Sequence, residues 1–204
     1  MKLTGLPVSE LIARFRSTSP TPGGGSASAL AGAVGAALLA MVAAMPKSRA
    51  STDDEASQLQ AAAERCGALS DALGDLVDRD SEAYDAVMAA YRLPKASDDE
   101  KATRKMAIQA AMRKAAETPL EAMRRAGEAL AAAPLVARLG NANASSDVVV
   151  AIELLLAAVR GARANVEINL DSLADPAFVG RLKEEVLRID RESTAVASGR
   201  MREA

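Results

Sequence analysis

Apolar residues recur every three or four positions along most of this chain, which is the spacing of amphipathic α-helices. Prolines, glycines and capping residues divide this pattern into about six helical segments. A short helix follows Pro7, and a second helix, which starts at a run of glycines, ends near Pro46. A long third helix begins at a cap formed by Asp53 or Asp54 and reaches about Tyr91.

The fourth segment begins with a capping signal and contains two prolines. Ser97 and Glu100 have the spacing of a capping box, in which each side chain bonds the other residue's main-chain N–H. Pro119 falls inside the helical pattern, where its ring predicts a kink or a break. Pro134 and Gly140 are expected to end this region.

Two further helices complete the chain. Ser145 is a predicted N-cap for a helix that continues toward Leu170, and Asp175 is a predicted cap for the last helix, with Pro176 in its first turn. No repeat, sustained heptad pattern or long linker interrupts the series. The sequence therefore predicts an all-α fold, with a single domain over residues 1–204 that forms an antiparallel bundle of about six helices.

The second helix is unusual because residues 17–46 include no charged side chain. This stretch is long enough to cross a bilayer, but it consists mainly of Ala, Gly and Ser, which are weakly hydrophobic. We therefore expect a buried helix of a soluble protein and no membrane association. Small residues recur at every fourth position and allow another helix, of the same or a second subunit, to approach closely: Gly24, Ser28, Gly32, Ala36 and Ala40.

The composition narrows the classes of chemistry. Aromatic residues make up only 2% of the chain, which agrees with an all-α fold. The net charge is −2, so we expect no nucleic-acid partner. The chain has no histidine, which excludes histidine-based triads and histidine-ligated metals, and we expect no metal site. Cys66 is the only cysteine and cannot form an internal disulfide.

One carboxylate interrupts the apolar stripe of the third helix. Asp80 occupies a position where the alternation predicts an apolar residue, among the other members of the stripe: Leu59, Ala62, Cys66, Leu69, Leu73, Leu76, Tyr84, Val87 and Tyr91. A buried carboxylate must be paired, protonated or directed into a cavity. Asp80 is therefore either a structural group that bonds a neighbouring helix or a partner subunit, or a general acid/base with a raised pKa.

The glycine run admits two interpretations. Gly23, Gly24 and Gly25 follow two prolines at the start of the second helix. They form either a plain turn or a loop that exposes main-chain N–H groups to an anionic ligand.

Asparagines mark the fifth helix. Asn141, Asn143 and Asp147 cluster where it begins, and Asp147 also suits the positive end of the helix dipole. Asn165 and Asn169 lie four residues apart on its inner face. An asparagine there needs hydrogen-bond partners, which a polar ligand would supply.

Four stretches together resemble the cyclodeaminase/cyclohydrolase family of folate enzymes: SPTPGGGSASALAGAVGAALLAMVA, DRDSEAYDAVMAAYRLPK, GNANASSDVVVA and ANVEINL. The resemblance covers about residues 11–170, in the family's order. It implies an all-helical homodimer, located in the cytoplasm, whose substrate is a reduced folate (a tetrahydrofolate derivative). It also implies that no metal and no further cofactor is needed.

The resemblance also implies roles for individual residues. Asp80 would transfer protons at the folate one-carbon centre, with Asp147 as the second catalytic carboxylate. Tyr84 stands where the family has phenylalanine, and its hydroxyl, four residues from Asp80, is a candidate partner for Asp80. Asn143 and Asp147 would hold the pterin edge. The other residues implied to bind substrate are Gly24, Gly25, Ser26, Asn141 and Asn165, with Lys47, Arg49 and Lys95 as candidates for the glutamate carboxylates.

The sequence leaves three functions open. The leading hypothesis is hydrolysis of 5,10-methenyltetrahydrofolate to formyltetrahydrofolate, which the absence of a formiminotransferase domain in this sequence favours. The second is a formiminotetrahydrofolate cyclodeaminase that releases ammonia. The third is a non-catalytic helical dimer that binds folate or a protein, which would keep Asn143 and Asn165 but would not depend on Asp80.

Overall fold

Helices form nearly all of the chain in the computed structural model, which describes residues 2–200. That range contains six α-helices, two short 3-10 helices (Leu3–Gly5 and Ala142–Ala144) and no β-strand. The α-helices are α1 (Val8–Phe15), α2 (Gly24–Ala44), α3 (Asp53–Tyr91), α4 (Asp98–Leu139), α5 (Ser145–Leu170) and α6 (Pro176–Arg200). The predicted all-α bundle of about six helices is confirmed.

Long helices that follow one another in the chain run in opposite directions. As α2 advances from Ser26 to Ala33, its hydrogen-bond partners on α3 move back from Val77 to Ser70. The pairs α2–α5 and α3–α4 are antiparallel in the same way. The N-terminus of α2 therefore lies beside the C-terminal third of α3 and the C-terminal part of α5.

Small residues allow α2 to lie close to its neighbours α3, α4 and α5. A Cβ atom added at Gly32 would be 3.2 Å from the Cβ of Ala158, and one at Gly35 would be 2.8 Å from the Cγ of Leu155. These glycines therefore permit the close approach of α2 to α5. The middle of the predicted small-residue row serves packing within the subunit.

The fourth side of α2 is open and apolar. Val34 and Met41 are 46% and 43% exposed. The positions around them are exposed or half-buried and also lack charge: Gly24, Ala27, Leu30, Ala31, Ala37, Leu38 and Ala44. We call these nine residues the α2 outer face. By length and composition, α2 and residues 142–170 are each apolar enough to cross a membrane, and in the bundle they pack against each other.

The helix α4 continues through both of its prolines and ends at Leu139, with Gly140 as its C-cap. The end expected at Gly140 is therefore confirmed, whereas no break occurs at Pro119 and the helix does not end at Pro134. Pro119 has no N–H to donate to the carbonyl of Ala115, one turn earlier. Asn169 on α5 replaces that donor, because its Nδ2 lies 2.9 Å from the Ala115 oxygen. One inward-facing asparagine of α5 is thus explained by packing within the protein rather than by a ligand.

The capping box predicted for α4 is confirmed, whereas the N-cap of α3 is not the residue that the sequence predicted. Ser97 and Glu100 form the predicted capping box of α4. The N-cap of α3 is Thr52, whose hydroxyl accepts a hydrogen bond from the main chain. Asp53 and Asp54 lie inside the first turn, where their charges suit the helix dipole.

Of the two N-caps predicted for α5 and α6, one is confirmed and one is wrong. Asp175 caps α6 as predicted, because its Oδ1 accepts hydrogen bonds from the N–H groups of Ala177 and Phe178. Ser145 is the first residue of α5 and not its N-cap. That position belongs to Ala144, which follows directly from a 3-10 turn and has no capping side chain.

Replacing Asn169 with alanine should lower the free energy of unfolding by about 1–2 kcal/mol, because the partly buried Ala115 carbonyl loses its donor. In a Pro119→Ala background the cost should shrink, since the new main-chain N–H reaches the same carbonyl. Urea unfolding of the four proteins of this double-mutant cycle measures both quantities. Equal costs in the two backgrounds would show that Asn169 does not compensate for Pro119.

Candidate functional site

Asp80, on α3, faces the first turn of α2. The Ser26 hydroxyl donates a hydrogen bond to the Asp80 Oδ2 at 3.0 Å and also lies 2.9 Å from the Val77 carbonyl oxygen. A Cβ atom at Gly25 would overlap the carboxylate, at 2.6 Å from its Cγ. Gly23, the N-cap of α2, supplies no capping side chain. The carboxylate of Asp80 therefore lies where an N-cap side chain would normally accept from the helix.

Burial changes the proton affinity of this group. Removal of the partly buried carboxylate from water raises the pKa of Asp80 above its ordinary value of 3.8, while the hydrogen bonds from the side chain and main chain of Ser26 act in the opposite direction. The pKa shift moves Asp80 toward the range in which one carboxyl group both accepts and donates a proton. Ser26 is fully buried, and its hydroxyl contacts α3 at Val77, Asp80 and Ser81.

Asn165 joins this group from α5. A Cβ atom at Gly24 would lie 3.3 Å from the Asn165 Nδ2, which donates to the carbonyl of Gly161 at 2.8 Å. Tyr84 lies one turn beyond Asp80 and is 37% exposed. Within residues 2–200, Asp80 receives hydrogen bonds from Ser26 and none from Tyr84, so the expected Tyr84 partner is wrong.

A second polar group lies at the other end of α2. The Nδ2 of Asn141 donates to the carbonyl of Pro46 at 2.7 Å, and the Asn141 Oδ1 accepts from the N–H of Asn143 at 2.9 Å. Asn141 is only 7% exposed, so it holds two connections of the bundle together. Asn143 is exposed and Asp147 is half-buried, which leaves these two side chains accessible.

The two basic residues at this end differ in what they contact. The Nε of Arg49 donates to the carbonyl of Gly140 at 3.1 Å, and its Nη2 donates to that of Ala137, so Arg49 satisfies carbonyl groups at the end of α4. Lys47 is exposed and has a positive φ of 59°. A groove of about 990 Å³ between α4, α5 and α6 includes Arg49 and Asn141 in its lining.

The predicted site residues thus form two clusters in one subunit. The Asp80 cluster consists of Gly24, Gly25, Ser26, Asp80, Tyr84 and Asn165. The Asn143 cluster consists of Lys47, Arg49, Asn141, Asn143 and Asp147. The 21 residues of α2 separate the two clusters by about 31 Å. The expectation that both surround one ligand is therefore not met within a single subunit.

Lys95 belongs to neither cluster. It lines a cavity of about 300 Å³ at the α3–α4 turn together with Lys101, Arg104 and Lys105, which no sequence pattern singled out. Lys101 pairs with Asp98 at 2.8 Å. Along α3, this turn begins about 16 Å beyond Asp80. A concentration of positive charge at this distance from Asp80 suits a carboxylate-bearing part of a ligand.

Sequence comparison identifies the family. Residues 7–188 match the family described as formiminotransferase-cyclodeaminase. The chain belongs to this family. The glycine, aspartate and asparagine segments of the sequence resemble this same family. The family expected from the sequence is therefore confirmed.

Individual relatives within the formiminotransferase-cyclodeaminase family differ in length and name. A methenyltetrahydrofolate cyclohydrolase of Methylorubrum extorquens is 41% identical over 169 residues, which cover 82% of this chain and 81% of that protein. The rat formimidoyltransferase-cyclodeaminase is 33% identical, and this chain matches 33% of its length. The crystal structure of formiminotetrahydrofolate cyclodeaminase from Thermotoga maritima superposes with a TM-score of 0.84 and 27% identity, covering 97% of this chain and 94% of that one.

Asp78 is a buried carboxylate that the sequence pattern did not reveal. It is 8% exposed, and it accepts hydrogen bonds from the N–H of Leu3 and the hydroxyl of Thr4. It therefore anchors the N-terminal 3-10 helix to α3. Asp78 falls outside the apolar stripe, where an acidic residue ordinarily indicates a solvated surface, so only the tertiary contact distinguishes it.

Replacing Asp80 with asparagine should change how the free energy of unfolding depends on pH. The raised pKa means that the stabilising contribution of Asp80 is complete below its ordinary pKa and is lost as the pH rises and the buried group ionises. An asparagine side chain does not ionise. The free energy of unfolding of the variant should therefore rise relative to that of the wild type between about pH 4 and 7. Urea unfolding over this pH range measures the difference, with the exposed Asp85→Asn as control. A difference that does not change with pH would contradict the assignment.

Proposed function

We propose that this protein hydrolyses 5,10-methenyltetrahydrofolate to formyltetrahydrofolate. The proposal is carried by one observation: a desolvated carboxylate with a raised pKa lies at the glycine-rich N-terminus of a central helix. The cyclohydrolase of Methylorubrum extorquens supports it, because the similarity extends over most of both chains. The reaction needs a group that takes a proton and later returns it, and a carboxyl group of intermediate pKa does both.

The proposed mechanism uses Asp80 twice. Ionised Asp80 takes a proton from a water molecule as the water oxygen bonds to the methenyl carbon, which becomes tetrahedral. The carbon–nitrogen bond to one of the two nitrogens then breaks, and that nitrogen takes the proton from Asp80. The hydroxyl proton leaves to solvent, so that a formyl group stays on the other nitrogen and one proton is released overall.

The other predicted residues take positioning roles in this proposal. The exposed main chain at Gly24 lies beside the reacting centre, and the side-chain Oδ1 of Asn165 lies 3.7 Å from where a Cβ atom at Gly24 would be. Lys95 and its neighbouring cations hold glutamate carboxylates of the substrate. Asn143 and Asp147 hold the pterin edge. We propose that the reaction needs no metal and no further cofactor, and that the enzyme is a soluble cytoplasmic protein without nucleic-acid or membrane partners.

A second candidate function is the release of ammonia from formiminotetrahydrofolate. The solved structure from Thermotoga maritima supports it, because that protein carries the name cyclodeaminase and nearly its whole length matches this chain. In this reaction N10 attacks the formimino carbon on N5, and Asp80 would transfer the proton from N10 to the departing ammonia.

We also propose that the enzyme is a homodimer that pairs through the α2 outer face. This surface carries no charge along the whole helix and includes half-exposed Val34 and Met41. Contiguous apolar surface of this length is uncommon on monomeric proteins and is typical of subunit interfaces. A second copy is a suitable occupant, since an uncharged surface meets no charge repulsion from itself in a two-fold arrangement.

The function is tested by following the absorbance of methenyltetrahydrofolate in the presence of wild type, Asp80→Asn and Asp85→Asn. Asp80→Asn should bind substrate and lose about 100- to 10,000-fold in kcat, as is usual for a lost general acid/base. Asp85→Asn should retain wild-type kcat. Ammonia release from formiminotetrahydrofolate, without methenyl hydrolysis, would select the cyclodeaminase. Tight folate binding without either reaction would favour a binding protein, and equal rates for wild type and Asp80→Asn would remove Asp80 from the mechanism.

The interface is tested by replacing Val34 with lysine, which puts a charge at the centre of the α2 outer face. The variant should stay folded by circular dichroism and sediment as a monomer, because pairing would bury two unpaired ammonium groups. Met106→Lys is the matched control, since Met106 is 66% exposed and lies on α4 away from this face. A dimeric Val34→Lys protein would place the interface elsewhere.

A further inference from the structure

We infer that Ser26 is a positioning residue that turns its single O–H between the Asp80 carboxylate and the Val77 carbonyl oxygen as Asp80 loses and regains a proton. This inference deepens the proposed function and rests on it for the reaction in which Asp80 exchanges protons. It concerns a residue that the family resemblance implies to bind substrate. Ser26 is 0% exposed, so its side chain contacts α3 and is shielded from a ligand.

The Ser26 hydroxyl has more acceptors within reach than it has protons. Its Oγ lies 2.9 Å from the Val77 carbonyl oxygen, 3.0 Å from the Asp80 Oδ2 and 3.3 Å from the Ser81 Oγ. A serine hydroxyl has one O–H and two lone pairs, so it donates to one group while it accepts from another. The three oxygens lie on one face of α3. Rotation about the Cβ–Oγ bond therefore redirects the O–H while every heavy atom stays in place.

The charge of Asp80 determines which acceptor the hydroxyl takes. A hydrogen bond to an ionised carboxylate is stronger than one to a neutral carbonyl, so the hydroxyl donates to ionised Asp80. The Val77 carbonyl does not depend on Ser26 in this state, because helix α3 supplies the N–H of Ser81, four residues later. When Asp80 is neutral, this advantage is lost. The hydroxyl then donates to Val77, and its oxygen accepts from the carboxyl O–H.

This exchange suits a group that acts as a base and then as an acid. In the proposed reaction Asp80 is ionised before it takes a proton from water and neutral before it returns the proton to nitrogen. A group that can only donate, such as a lysine ammonium, would favour the ionised form and oppose the first proton transfer. A hydroxyl bonds the carboxyl group in both forms. Ser26 therefore holds Asp80 in one position through the reaction.

No charged side chain within residues 2–200 competes with Ser26 for Asp80. Burial and Ser26 account for the shift of the Asp80 pKa, without a contribution from any charge. The first turn of α2 has no titratable side chain, and α5 presents Asn165 to this turn. Titratable groups on adjacent turns are exposed or bonded to other elements: Asp78, Arg79, Glu82, Tyr84 and Asp85 on α3, Lys114 and Glu117 on α4, and Arg160 and Arg163 on α5.

Carbon-13 NMR of the aspartate carboxyl groups tests the inference without substrate. The Asp80 signal is identified by its absence from Asp80→Asn, and the Asp80 pKa is measured in wild type, Ser26→Ala and Ser81→Ala. The pKa should rise by about one pH unit in Ser26→Ala, because the ionised form loses a donor. Ser81→Ala is the matched control. It removes a neighbouring hydroxyl, leaves the Ser26–Asp80 bond in place and should keep the wild-type pKa.

The carbonyl carbon of Val77 reports the other half of the exchange. Its signal should move downfield as the pH falls through the pKa of Asp80, because the hydroxyl then donates to this carbonyl. The movement should be lost in Ser26→Ala. A Val77 signal that is constant in the wild type, or that moves equally in Ser26→Ala, would overturn the exchange. An unchanged Asp80 pKa in Ser26→Ala would overturn the role of Ser26 altogether.

A second variant keeps the measurement possible if Ser26→Ala does not fold. Ser26→Cys has a side chain of similar shape whose S–H is a weaker donor. It should raise the Asp80 pKa in the same direction as Ser26→Ala. A pKa in Ser26→Cys that equals or falls below the wild-type value would contradict the inference.

The pH dependence of methenyl hydrolysis separates this role from substrate binding. The value of kcat/KM should fall at low pH as Asp80 is protonated, and the fall should begin about one pH unit higher in Ser26→Ala. On the plateau above this fall, KM should keep its wild-type value because buried Ser26 does not contact substrate. A raised KM with an unchanged pH dependence would assign Ser26 to substrate binding instead. A wild type without turnover would contradict the proposed function, whereas the NMR measurements would still decide the role of Ser26.

Discussion

The contact between the start of α2 and the carboxylate of Asp80 is the constraint on which the rest of this structure depends. The main chain of α2 reaches Asp80 only because residue 25 has no side chain, and Ser26 then bonds the carboxylate directly. A helix N-terminus needs an acceptor, and a desolvated carboxylate needs donors. One interaction meets both needs. The remaining cost of ionising Asp80 is what keeps its pKa above the ordinary value.

Much of this can be predicted from local sequence patterns. Asp80 stands out because it breaks a period of apolar positions, and the capping box at Ser97 stands out because its spacing is specific. Pro119 is misleading, since its local effect is to end a helix. The asparagine that compensates for it is fifty residues away in the sequence, and no local pattern connects the two. Helix boundaries that depend on long-range hydrogen bonds are therefore the part of the fold that cannot be predicted from a single sequence.

The sequence predicts the site as a set of residues, whereas the structure adds distances. Glycine, aspartate and asparagine segments that occur together in one family need not be adjacent in one subunit. Antiparallel helices bring the first turn of α2 to Asn165 but carry Asn143 to the opposite end. Arg49 and Asn141 also have main-chain partners, which their residue types alone do not indicate. Side-chain chemistry is readable from sequence, but the distance between two motifs depends on the topology.

The surroundings of each side of α2 explain why this helix has no charged residue. Three sides lie against α3, α4 and α5, where glycine and alanine permit close packing. A helix that needed only these contacts would carry polar residues on its fourth side, as surface helices do. In α2 that side holds Val34, Met41 and small apolar residues instead. The homodimer that we propose would bury this fourth side and so account for its apolar residues.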